Sequence, residues 1–101
     1  MAYEAGHLDV ILATAAGDDA ALLAELRETF VASVARQVDL LRRSRCDGNW
    51  QVAALRLKGL AASFHADPLI DLADEAIEGV PGEPSVIRRM QCWLDEFAGS
   101  N

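Results

Sequence analysis

The sequence predicts an all-α fold: an antiparallel up-down four-helix bundle with a short extra helix at the N-terminus. Three observations carry this expectation. Apolar residues recur every three or four positions along most of the chain, the period of one helix face, and nowhere do they alternate with the period of a strand. Turn and cap residues interrupt the pattern at 17–19, 46–49, 67–68 and 79–84. The connections are short, which makes consecutive helices antiparallel neighbours.

Each element has its own justification. A short stretch around 7–16 puts Leu8, Ile11, Leu12 and Ala15 on one side, and Gly17 ends it. Asp18 or Asp19 caps a second stretch running to about Arg45, in which Leu23, Leu26, Phe30, Val34, Val38 and Leu41 keep helical spacing. CDGN (46–49) is a turn, with Asp47 or Asn49 placed to cap a third helix that ends near Ala66. Its inward stripe is Ala53, Leu57, Leu60 and Phe64.

Asp67-Pro68 reads as a cap followed by proline at the first helical position. The fourth helix then runs from 68 to about 78 and buries Leu69, Leu72, Ala73 and Ile77. GVPGEP (79–84) breaks the chain, and Pro84 opens a fifth helix carrying Val86, Ile87, Met90, Trp93, Leu94 and Phe97. The expected core includes Leu26, Phe30, Leu57, Phe64, Leu72 and Trp93. Trp50 and Trp93 are expected at its edge, each with its N–H reaching a partner.

At 101 residues the chain makes a single domain, 1–101, with one core. No run of about 18 apolar residues is present, so no membrane span is expected. The opening MAYEAGHLD has acidic rather than basic residues ahead of its apolar stretch, unlike a secretory signal. Cys46 and Cys92 stand alone, outside any CxxC pattern, and suit reduced thiols in a cytoplasmic protein. No cofactor or metal motif appears.

The net charge of −7 argues against a nucleic-acid partner. Between Arg36 and Lys58, however, stand Arg36, Arg42, Arg43, Arg45, Arg56 and Lys58 against only Asp39 and Asp47. A basic region on an acidic protein suits an acidic protein surface. Arginines favoured by a helix C-terminal dipole explain Arg42, Arg43 and Arg45 equally well. Asp67, Asp71, Asp74, Glu75 and Glu78 read as a solvated face of the fourth helix.

One apolar residue is out of phase. Leu55 lies roughly 160° from the Ala53–Leu57–Leu60–Phe64 stripe at about 100° per residue. Gln51, Gly59 and Ala62 share its side, Lys58 lies beside them, and Arg56 is nearer the flank.

The stretch ALRLKGLAASFHADPLIDLADEAIE (54–78) resembles the signature of the histidine-containing phosphotransfer (HPt) domains of bacterial phosphorelays, A-H-x-L-K-G-x-[SA]-x-x-[LF]-G followed by an L-x-x-[LA]-x-x-[LI]-E helix. Ala54, Leu57, Lys58, Gly59, Ala62 and Phe64 match. LDVILATAAGDDAALLAELRETF is similar to the family's N-terminal helix, turn and long second helix, and DGNW to the turn before the site helix. The likeness covers nearly the whole chain.

At the position of the phospho-accepting histidine stands Leu55. In the family an exposed imidazole there attacks a receiver's phospho-aspartate and carries the phosphoryl group, with the lysine offsetting its charge and the glycine leaving room. Leucine has no nucleophilic atom, so no transfer occurs at this position. A second departure is that four residues separate Trp50 from Leu55, fewer than is usual. His65 stands at the family's usual glycine position, and in a continuous helix it would lie about 15 Å along and 80° around from Leu55. His7 reads as a surface or helix-start group.

The resemblance therefore implies a signalling module that binds a receiver or histidine-kinase domain without carrying phosphate. Gln51, Leu55, Arg56, Lys58, Gly59 and Ala62 would be its contacts, with no catalytic residue, metal or cofactor. Two alternatives stay open: phosphotransfer through another residue such as His65, and a scaffold or homodimer using the same face.

Overall fold

A computed structural model describes Leu12, Thr14, Gly17 and residues 19–99. Among these residues there are four α-helices and no strand: α1 (Ala20–Arg42), α2 (Asp47–Ser63), α3 (Asp67–Glu78) and α4 (Pro84–Gly99). Each helix packs on the next, and α4 closes back onto α1, so the four surround one core. Leu12 and Thr14 are helical, and Leu12 is fully buried. Gly17 follows with φ +66°, a turn in the left-handed region. His7, Leu8, Ile11, Ala15 and Asp18, to which the first-helix and capping expectations refer, lie outside the described residues.

Local chemistry sets the helix ends. Asp19 caps α1, its carboxylate accepting from the N–H groups of Ala21 and Leu22 at 3.0 and 3.1 Å. The helix stops at Arg42, earlier than the sequence predicts: the Arg43 N–H still makes the helical bond to the Asp39 carbonyl, but the Ser44 N–H turns to the nearer Leu41 carbonyl and the α pattern ends there. Neither Asp47 nor Asn49 caps α2. Cys46 does, its Sγ accepting from the Asn49 N–H at 3.4 Å, while Asp47 opens the first turn. Asp67 is likewise the first residue of α3 rather than its cap; Ala66 holds that place, with no side-chain bond.

The core is aromatic at one end and alanine-rich along α2. Phe30 of α1 meets Phe64, Trp93 and Phe97 edge-on, with ring centroids 4.9, 6.2 and 5.6 Å away, and Trp93 stacks on Phe97. Arg27 covers the outer side of Phe97, 4.2 Å above the ring, and donates to the Phe97 carbonyl at 2.7 Å. Of the expected core, Phe30, Leu57 and Trp93 are buried, whereas Leu26, Phe64 and Leu72 are half-buried and pack against the core from its edge. Ala54, Ala61 and Ala76 are fully enclosed instead. They let helix backbones approach where larger side chains would not fit.

Phe30→Ala removes the hub of the aromatic cluster and should cost about 3–5 kcal/mol. Phe64→Ala, at the edge, should cost clearly less. Urea unfolding of the two variants checks the ranking, and equal losses would place Phe64 in the core.

Candidate functional site

Two anchors fix the rotation of α2. The Trp50 side chain is fully buried, and its indole N–H donates to the Ala76 carbonyl at 2.8 Å. Gln51, next in sequence, donates its amide N–H to the Ile77 carbonyl at 3.1 Å. Both acceptors belong to the last turn of α3, whose carbonyls have no partner within their own helix. The Glu75 carbonyl of the same turn receives the Gly79 N–H at 2.9 Å. A Cβ at position 79 would come within 2.8 Å of that oxygen, so glycine is required there.

With Trp50, Ala53, Ala54, Leu57 and Ala61 turned inward, the opposite side of α2 has to face out. Leu55 is 56% exposed and Val52 47%. Arg56, Gly59, Ala62 and Ser63 are exposed beside them. A Cβ built on Gly59 meets nothing within 4 Å. A glycine inside a helix costs about 1 kcal/mol relative to alanine, and packing among the described residues gives no reason for it. The Ser63 hydroxyl donates to the Gly59 carbonyl at 2.9 Å, within the same turn.

The sequence-derived site residues therefore divide. Leu55, Arg56, Gly59 and Ala62 share an open surface. Gln51 is half-buried, with its amide bound to α3. Lys58 is not a free cation: its Nζ lies 2.7 Å from Asp74 Oδ1 on α3. The hydrogen bond and charge of Asp74, assisted by Glu78, hold its ammonium above the ordinary lysine range. The acidic side of α3 is thus not wholly solvated, because Glu75 is also paired, with Arg89 of α4. That pairing pulls the Glu75 carboxyl below its usual range.

His65 lies outside α2. The helix ends at Ser63, and the chain reverses with the Ala66 N–H on the Ala61 carbonyl (2.9 Å) and the His65 N–H on the Ala62 carbonyl (3.2 Å). His65 takes φ +55° in this turn, the left-handed conformation in which glycine is most at ease. The angular relation to Leu55 expected of a continuous helix does not hold.

Val52 escaped the sequence reading, although it lies three residues before Leu55 on the same face. The sequence marks Asp74 only as a surface acid, since no local spacing links it to Lys58. Cys46 and Cys92 are exposed and unbridged. Among the described residues no cluster of His, Cys, Asp or Glu is placed to hold a metal ion, and no helix is long and apolar enough to cross a membrane. Comparison with protein-family models, curated proteins and solved structures gave no match.

The Lys58–Asp74 pair has a definite pH signature. A lysine whose pKa is raised by folding contributes stability that is fully present below its unfolded pKa and lost as pH rises through the folded one. In Asp74→Asn the Lys58 ammonium should lose its proton at lower pH than in the wild type, read from its side-chain NMR shifts. Unchanged titration would show that the pair does not hold in solution.

Proposed function

We propose that the chain is an HPt-like signalling module that docks a receiver or histidine-kinase domain on the outer face of α2 without accepting phosphate. The observation that supports this best is the exposure of Leu55, between a buried Ala54 and a buried Leu57, at the centre of a face with small residues on one side and Arg56 on the other. This is the position that the family resemblance gives to the acceptor histidine. A leucine there offers hydrocarbon to a partner and no atom able to attack a phospho-aspartate. An apolar centre with polar surroundings is the general layout of a protein interface.

The up-down order of the bundle belongs to the same reading. It is supported by Trp50 and Gln51, which set the start of α2 beside the end of α3. The burial of Leu12 supports an additional N-terminal helix laid on the bundle. A cytoplasmic bacterial setting goes with a phosphorelay role.

The test uses purified receiver domains from the source organism, phosphorylated and unphosphorylated. The protein should gain no acid-labile phosphate and should not drain the receiver faster than buffer does. Leu55→Asp should weaken binding at least tenfold, about 1.4 kcal/mol, with the fold intact because the side chain faces out. Label that appears on the protein and disappears in His65→Ala would overturn the phosphate-free reading. If Leu55→Asp leaves receiver binding unchanged, the docking face lies elsewhere.

A further inference from the structure

A groove of about 430 Å³ runs between the end of α1 and the first turns of α2 and reaches Val52, three residues before Leu55. Leu40, Val52 and Ala53 supply its apolar lining, and Arg43, Arg56 and Asn49 its polar rim. Asp39 is the acid at this end of α1. It takes Arg43 Nε at 2.9 Å and lies 3.7 Å from Arg42, so one carboxylate serves two guanidinium groups. Arg56 makes no ion pair among the described residues and is exposed. The groove therefore carries positive charge on a chain of net charge −7. On the other flank of Leu55, Lys58 is already neutralised by Asp74. The charge that the face offers a partner lies on the Val52–Arg56 side.

Three features define the occupant. The groove continues into the exposed strip Val52–Leu55–Gly59–Ala62, which extends about 15 Å along α2 and matches a helix rather than a small molecule. Gly59 and Ala62 let a backbone approach closely, and among the described residues nothing packs against the glycine. Charge disfavours a second copy, because this face would bring an excess of arginine to another arginine-rimmed groove and no acid to fill it.

We propose that this surface seats an acidic amphipathic helix of a partner protein. Its carboxylates meet Arg43 and Arg56, its apolar side chains cover Val52 and Leu55, and Lys58 takes no part. The inference deepens the docking reading of α2 and gives its partner a chemistry.

The probe is a fluorescently labelled helical peptide of about five turns, with leucines at helical spacing flanked by glutamates. Its counterpart carries lysines in place of the glutamates. Fluorescence anisotropy should show binding of the acidic peptide alone. Arg43→Glu and Arg56→Glu should each weaken it at least tenfold, and Lys58→Gln less than about twofold. Circular dichroism confirms that the variants are folded. The proposal is overturned if the acidic peptide does not bind, if it binds Arg56→Glu as well as the wild type, or if Lys58→Gln costs as much as Arg56→Glu. Sedimentation showing a dimer that Leu55→Asp dissolves would assign the face to a second copy instead. Receiver binding lost in Leu55→Asp but kept in Arg56→Glu would leave the docking reading standing without this one. Peptide binding with the stated pattern, in a protein that no receiver domain binds, would do the reverse.

Discussion

The setting of α2 about its own axis depends first on the fully buried one of its two anchors, the hydrogen bond from the Trp50 indole to the Ala76 carbonyl. A tryptophan with no solvent exposure needs a partner for its N–H, and a helix-end carbonyl needs a donor from outside its own helix. Each meets the other's requirement. Moving α2 by one residue would rotate it by about 100°, leave both groups unsatisfied and turn the buried Leu57 toward solvent. The same constraint that satisfies the core therefore puts Leu55 outside.

The other contacts between helices are arranged around this fixed element. The aromatic cluster ties the middle of α1 to the far end of α4 and to Phe64, just beyond α2. Arg89 with Glu75 ties α4 to α3, and Lys58 with Asp74 ties α2 to α3. These ion pairs are half exposed, so they contribute modestly to stability. Their larger consequence is electrostatic. The acids of α3 neutralise Lys58, which leaves the arginines at the α1–α2 end as the basic part of the open face. A chain that is acidic as a whole thus presents a local basic surface, with no acid among the described residues that line the groove.

Much of this was legible in the sequence. Helical spacing of Phe30, Val34, Val38 and Leu41, and of Val86, Met90, Trp93 and Phe97, gives the inward faces of α1 and α4 directly. Periodicity was weaker for α2, because its buried side is largely alanine and alanine is at home inside or outside. Spacing therefore does not single out Ala54 and Ala61 as buried, and it sets Phe64 deeper than the structure does, because Phe64 follows the helix end rather than lying within it. The exposure of Leu55 could be read by elimination, as the one leucine out of phase. The caps were harder. Cys46, Asp47 and Asn49 all stand within one turn, and only the backbone path decides which side chain meets a free N–H. The Lys58–Asp74 pair and the Arg43–Arg56 groove arise from packing between helices, which the spacing of one chain does not encode.

The account rests on Leu55 being open to solvent in the free protein while Leu57 is sealed. Methyl-labelled NMR with a soluble paramagnetic agent reads this directly, on dilute protein shown to be monomeric. The Leu55 and Val52 methyl signals should broaden strongly, and those of Leu57 and Leu69 should not. Protection of Leu55 to the level of Leu57 would mean that the chain covers this face itself, and no docking surface would remain there.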